Sequence, residues 1–365
     1  MKNKLLLTSA LAGSLMFSGI SLAQTTVSGS LDISYKGVSS DGTTGNIGSQ
    51  KNDSFIGKES QINIANKGKL SNGLDYAAGF SLEYDGNDGA DNNNTRQAFS
   101  NTHNENVYIN FISGNTTFTV GVDHIQNSDR TLGVLIGEDA EDFADGINGT
   151  ASGLSISAVG SDPASTYGAG IMQKTPIGTI SAYYTPKSGN RNQELNSNDI
   201  SFAGTSDDQD GAQSAYELGF VGDLGVKGLS THLFYNKRDA MTTATTEQDV
   251  KGMNIGASYN VGQFTGGVNR KKVDLATTGQ DAKQMEYSIA YAATKELSLA
   301  LNYSKAEKSG DSAVETDEKV KSVAVGYNMG PVVLVGQYGK VDGKNGKVEN
   351  SAEGDVLYLQ LSTKF

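Results

Sequence analysis

Three stretches of this 365-residue chain carry residue types that could do chemistry. The first, "DGNDGADNNN" at 85–94, has the look of a calcium loop. Ala90 stands at its sixth position, where the sharp turn needs Gly, and Arg96 at its twelfth, where a bidentate Glu belongs, so the ligand set is broken and a flexible acidic loop is the plainer account. The second is the set of three histidines, His103, His124 and His232, scattered along the chain with no serine placed to form a nucleophile–base pair. The third is "EDAEDFAD" at 138–145, in which Glu138, Asp139, Glu141, Asp142 and Asp145 follow an apolar run from Leu132 to Ile136. Residue types alone do not separate a solvated loop tip from a working cluster there. Cysteine is absent, so thiolate nucleophiles, disulfides and thiolate metal sites are excluded. There is no phosphate-cradling motif, and nothing calls for a metal or cofactor.

The elements that must hold these stretches are strands. In the closing "GDVLYLQLSTKF" (354–365), Leu357, Leu359, Leu361 and Phe365 fall on one side of an extended chain, and Tyr358, Gln360, Ser362 and Lys364 on the other. The same alternation recurs near the start, in 74–84, in 284–294 and in 297–303. Each run is about as long as the ~9–11 residues a tilted strand needs to cross a bilayer. The runs come in pairs joined by short turns at 113–115, 223–228, 260–263, 293–296 and 328–331. Between pairs lie longer polar segments: 38–54, 85–103, 123–145, 187–213, 239–249, 275–282, 309–317 and 343–353. Short turns at one rim and long loops at the other predict an all-β, transmembrane antiparallel up-and-down barrel. Hairpins at 55–84, 104–124, 144–160, 166–186, 214–238, 250–274, 283–308 and 318–342, with a first strand at 25–37 and the terminal one, give 18 strands. The weakest segment is "ADGINGTAS" (144–152), and losing its hairpin returns the count to 16. A soluble β-sandwich also alternates, but seldom needs every strand long and every second loop tight.

Lys2 and Lys4 precede an apolar run from Leu5 to Phe17, and Ser21 and Ala23 supply small residues at its exit, the order of a secretory signal peptide cleaved after Ala23. The expected organisation is a leader at 1–23 and one barrel domain at 24–365. The formal net charge is -12; residues 1–23 hold two of the 29 basic residues and no acid, which leaves 27 against 41 acids, a net of -14 for the mature chain. Nucleic acid is excluded as a partner on that balance, whereas cations would be attracted if the acids line a confined space. Tyrosine numbers 16 and tryptophan none, with Tyr35, Tyr84, Tyr303 and Tyr327 at strand ends where interfacial girdles belong.

"TTVSGSLDISYKG" (25–37), "LSNGLDYAAGFSLEYDG" (70–86), "VYINFISGNTTFTVGVDH" (107–124), "VAVGYNMGPVVLVGQY" (323–338) and the terminal Phe365 together resemble the Gram-negative outer-membrane porins, over essentially the whole mature chain. The resemblance implies a water-filled channel in the bacterial outer membrane, reached through the periplasm. It implies a homotrimer set in outer-membrane lipid and lipopolysaccharide, passing small hydrophilic solutes and ions, with no enzymatic step. It implies a third loop folded into the lumen, so that Glu138, Asp139, Glu141, Asp142 and Asp145 become the constriction, the apolar run resting on the inner wall. It also implies that the outer-membrane assembly machinery reads Phe365, Leu361, Leu359 and Leu357. The sequence departs from the family at the opposing wall. Lys36, Lys58, Arg96 and Arg130 are the candidate basic residues, but Ser54 and Phe55 stand where an arginine ladder would begin, which points to a cation-preferring pore. A sugar-selective or other nutrient channel, an adhesion barrel without conductance and an outer-membrane enzyme are the alternatives.

Overall fold

A computed structural model describes residues 24–40, 52–85, 102–122, 125, 128, 130–144, 168–186, 214–243, 246–274, 281–309, 316–345 and 351–365. The leader expected at 1–23 lies outside these residues, as do Arg96, His124 and Asp145. Sixteen strands run through the described part: β1 Gln24–Ser40, β2 Asn52–Lys69, β3 Asp75–Asp85, β4 Thr102–Ser113, β5 Thr116–Gly121, β6 Gly168–Thr175, β7 Gly178–Thr185 and β8 Ala215–Gly222 in the first half. The second half holds β9 Leu229–Thr243, β10 Thr246–Val261, β11 Phe264–Asp274, β12 Asp281–Ala292, β13 Leu297–Ser309, β14 Thr316–Asn328, β15 Val332–Asn345 and β16 Ser351–Lys364. One short helix, α1 (Ala140–Ala144), follows β5.

Every strand pairs antiparallel with its sequence neighbour, and β1 pairs with β16 from Ser30↔Lys364 to Ser40↔Gly354, closing the ring. Reciprocal backbone bonds between Gly29 and Phe365 (2.7 and 3.0 Å) extend that seam to the last residue. Closure is what lipid demands, since each unpaired backbone group there costs several kcal/mol. The count is 16, not the 18 expected from hairpins. β5 pairs directly with β6, so the hydrogen-bonding edges that a hairpin at 144–160 would have needed are already used. Ala144 instead ends α1, and residues 145–167 lie outside the described part. The segment 239–249, expected as a loop, is mostly strand: β9 runs to Thr243 and β10 starts at Thr246, the two paired with one irregularity.

The period of two sorts the residues as an inside-out protein. Large apolar side chains such as Leu31, Ile33, Leu357, Leu359 and Leu361 are exposed on the outward face. Asn236, Asn254, Asn269 and Glu286 are buried on the inward one. An apolar outside over a polar inside is the pattern of a lipid-embedded barrel. Tyr35, Tyr303 and Tyr327 lie on the outward side, and Tyr303 meets Tyr287 across the β12–β13 ladder with ring centroids 6.2 Å apart. The main apolar cluster is off-centre: Ala140, Phe143 and Ala144 of α1 pack with Val38, Val320, Val341, Val356 and Tyr358 from β1, β14, β15 and β16.

Candidate pore constriction

The acidic stretch is reached through a strap, residues 128–138, whose partners are side chains on successive strands. At its start, Ser128 N donates to Glu217 Oε2 of β8 (3.3 Å), and Asn236 Nδ2 of β9 donates to Ser128 Oγ (2.9 Å). Asn254 of β10 then donates to two carbonyls, Ser128 O at 2.6 Å and Arg130 O at 2.7 Å. Thr131 Oγ1 donates to Glu286 Oε2 of β12 (2.8 Å), which also accepts from Asn269 Nδ2 of β11 at 3.2 Å. Asn302 Nδ2 of β13 donates to Ile136 O (3.0 Å). Last, Glu138 N donates to Gln337 Oε1 of β15 at 2.7 Å, while Gln337 Nε2 donates to Glu138 O at 3.2 Å.

These partners all sit at inward positions of their strands. Eight strands in a row, β8 to β15, cover about 34 Å at ~4.8 Å per strand. Ten steps of extended chain reach roughly 33–36 Å. With bends at 132–133 and 135–137 the strap is shorter than a fully extended chain, so it runs inside the wall and is met by the side chains that reach in from the strands. Close approach is made possible by glycine. A Cβ on Gly267 of β11 would lie 2.1 Å from Leu132 O, so any larger residue there would push the strap off. Gly137 takes φ +94°, a turn that L side chains resist, next to the Gln337 amide.

Beyond Glu138 the mode of attachment changes. Phe143 N bonds to Asp139 O (3.0 Å), the single turn of α1. Ala140, Phe143 and Ala144 fall at i, i+3 and i+4, one face of that turn, and are buried against the wall. Glu138 and Asp139 are half-buried at the junction of strap and helix.

The candidate basic wall divides. Lys36 is at an inward position of β1 and almost fully buried, beside Tyr358 in the register. Because Tyr358 belongs to the cluster under α1, Lys36 lies next to the acidic helix and not across the lumen from it. Lys58 is corrected outright: it pairs with Ile33 on the outward face, flanked at two-residue spacing by the exposed Ile56, so it cannot line the lumen. Arg130 lies on the strap. Sequence reasoning missed the buried Lys271 of β11 and the half-buried Arg238 of β9, both at inward positions; parity in "YNKRD" and "NRKKV" was the available signal. Arg130, Leu132, Val134 and Leu135 form one side of a cavity of 1450 Å³ that extends to Asp223, Lys227 and Lys364 at the short-turn rim. Phe365, Leu361, Leu359 and Leu357 all remain on the outward face, as their alternation requires.

The Gram-negative porin family matches residues 8–346. The chain belongs to the Gram-negative porins. Solved structures similar to it include the anion-selective porin from Comamonas acidovorans, 13% identical, with a TM-score of 0.64 and 94% of this chain and 100% of that one covered. The outer-membrane expressed OmpT of Vibrio cholerae is 13% identical with a TM-score of 0.58, covering 96% of this chain and 100% of its own. A triple mutant of the Rhodopseudomonas blastica porin is 14% identical with a TM-score of 0.56, covering 93% of this chain and 100% of its own. Comparison with the curated proteins gives no match. At these identities the structural neighbours share the fold, and family and fold together place this porin in the bacterial outer membrane.

Proposed function

We propose that this porin is a passive diffusion channel for small hydrophilic solutes and ions, without a covalent step or cofactor. In this reading the third loop, expected at 123–145, folds its strap and helix into the lumen and narrows it. The observation that carries it is the series of hydrogen bonds between 128–138 and inward side chains of β8, β9, β10, β12, β13 and β15. A 16-strand ring is too wide for ordinary side chains to fill, so something must narrow it for selection by size.

The acids Glu138, Asp139, Glu141, Asp142 and Asp145 make the pore prefer cations, supported by the net charge of -12. A neighbour of the same fold is anion-selective, so this preference rests on the chain's own residues and not on the family. Association as a homotrimer is supported by the trimer form of Vibrio cholerae OmpT, 14% identical with a TM-score of 0.58. Residues 1–23 act as the leader, and the outward row Phe365, Leu361, Leu359 and Leu357 serves as the assembly signal.

The test is the purified protein in a planar bilayer under a salt gradient. Stepwise conductance is expected, with a cation-preferring reversal potential that weakens when Glu138, Asp139, Glu141 and Asp142 are neutralised together. Folded, inserted barrels that give no steps would overturn the channel reading.

A further inference from the structure

The strap carries a surface that ion passage does not use. It ends acidic, at Glu138 and Asp139, but before them Leu132, Val134, Leu135 and Ile136 form an apolar run of half-buried side chains. All four line the cavity of 1450 Å³ that opens toward the short-turn rim. Leaving them part-exposed forfeits apolar burial, and hydrated ions gain nothing from such a surface.

This apolar ledge is held in place. Asn254 binds the carbonyls of Ser128 and Arg130, and Asn302 binds that of Ile136. Between these pins the side chains rest on bare backbone. A Cβ on Gly267 would lie 3.3 Å from Leu135 Cδ2, and one on Gly326 3.4 Å from Ile136 Cγ2. Below the ledge the wall is lined by the small residues Ser258, Ala290 and Ser298. Each stands four residues from the strap's own anchor on its strand, Asn254, Glu286 or Asn302, in the direction of the short turn. Four residues of strand are about 13 Å, so the small side chains leave room for a molecule beneath the strap.

Charge in this cavity runs against the balance of the chain. Among the described residues that line it, Arg130, Lys227 and Lys364 are basic and Asp223 is the one acid. The whole chain holds 41 acids against 29 basic residues. Arg130 is exposed and adjoins the ledge directly, two residues before Leu132. An apolar surface with a few placed charged groups is the common make-up of a small-molecule site.

We propose that this cavity is a binding site for a small amphipathic organic anion, an aromatic carboxylate or sulfonate, that enters from the short-turn rim. Its ring lies on Leu132, Val134 and Leu135. Its anionic group is held by Arg130 through charge-assisted hydrogen bonds, with Lys227 and Lys364 adding positive charge toward the rim. Charge complementarity selects this occupant over a cation of the same shape. The acids at Glu138 and Asp139 repel such an anion from the long-loop side, so it arrives from the opposite one. Once seated, it narrows the path of permeating cations and lowers their current. The inference rests on the channel reading for that effect on current, whereas binding itself needs no conductance.

The full-length porin in nonionic detergent would be titrated calorimetrically with naphthalene-2-sulfonate, with the heat of detergent alone subtracted. Methanesulfonate supplies the anionic head without the ring, and 2-naphthylmethylammonium the ring with the opposite charge. The aromatic sulfonate is expected to bind, and each comparison ion about tenfold more weakly or worse. Arg130→Gln should weaken binding about tenfold, the loss of one charged hydrogen bond, while Arg130→Lys keeps most of it. Val134→Ser should weaken it several-fold, and Lys58→Gln, on the outward face, should bind as the unaltered protein does. Equal binding of either comparison ion would overturn the proposal, as would undiminished binding by Arg130→Gln. The two naphthalene ions are compared on the unaltered protein, so that result stands even where a substitution disturbs the strap. In a planar bilayer the aromatic sulfonate should reduce the current far more from one side than from the other. Conductance steps without calorimetric binding reject only this site, and binding without steps rejects only the channel.

Discussion

The two ends of the acidic segment are held to the same wall by opposite means. From Ser128 to Glu138 the strap is clasped by polar side chains, and its apolar residues Leu132, Val134, Leu135 and Ile136 are only half-buried. From Ala140 to Ala144 the chain forms one helical turn docked by Phe143, fully buried among aliphatic residues of β1 and β14–β16. Hydrogen bonds are directional and individually worth about 1 kcal/mol net, so the clasp fixes where the strap runs and tolerates single losses. Apolar burial is non-directional but concentrated, so the helix depends on one ring. Position is distributed over the strap, whereas attachment of the acids is concentrated at Phe143.

The sharpest separation comes from Phe143→Ala. Removing a fully buried phenylalanine costs about 3–5 kcal/mol, more than a single turn of helix can recover. Conductance is expected to rise and become noisy while cation preference falls, read in a planar bilayer, with the barrel still resisting unfolding in gel mobility. Asn254→Ala comes next. It deletes two hydrogen bonds to the strap, at 2.6 and 2.7 Å, and a third to His232 at 3.1 Å, for about 3 kcal/mol together. It should widen the pore measurably but leave the reversal potential nearly intact, because Phe143 still seats the acids. If both variants change selectivity equally, the division of labour is wrong.

The alternation of "LSLALNY" or "LYLQLSTKF" disclosed the barrel because lipid on one side and water on the other leave no other pattern. The strand count went astray at 144–160, where small residues carry almost no face preference and α1 takes the first of them. Lys58 was misplaced for a related reason: "SFIGKES" alternates weakly, and a shift of one residue moves a side chain to the opposite face. The clasp was not legible at all. Glu138 and Gln337 are 199 residues apart, and an inward Gln or Asn that holds a strap reads the same as one that merely wets the lumen. The acidic cluster was visible as composition; its seat on Phe143 was not.

Electrostatic changes are smaller and report on the acids alone. Glu138→Gln with Asp139→Asn removes two charges at the junction, each worth about 1 kcal/mol at contact distance in water. A roughly few-fold drop in cation-over-anion permeability is expected at low salt, fading toward 1 M as screening shortens to about 3 Å. Retention of the full preference at low salt would locate the selecting charges elsewhere.

The smallest effects belong to two lysines. Lys36 lies beside the acidic helix, so Lys36→Gln removes a neutralising charge and should raise cation preference slightly. Lys58→Gln should change neither conductance nor reversal potential, since its side chain leaves β2 on the face shared with Ile33 and Ile56. A strand separates that face from the water column, and a screened charge more than a Debye length away exerts little field on permeating ions. If Lys58→Gln shifts the reversal potential as much as Lys36→Gln does, β2 runs one residue out of the register Ile33↔Lys58, and every inward assignment on that strand must change with it.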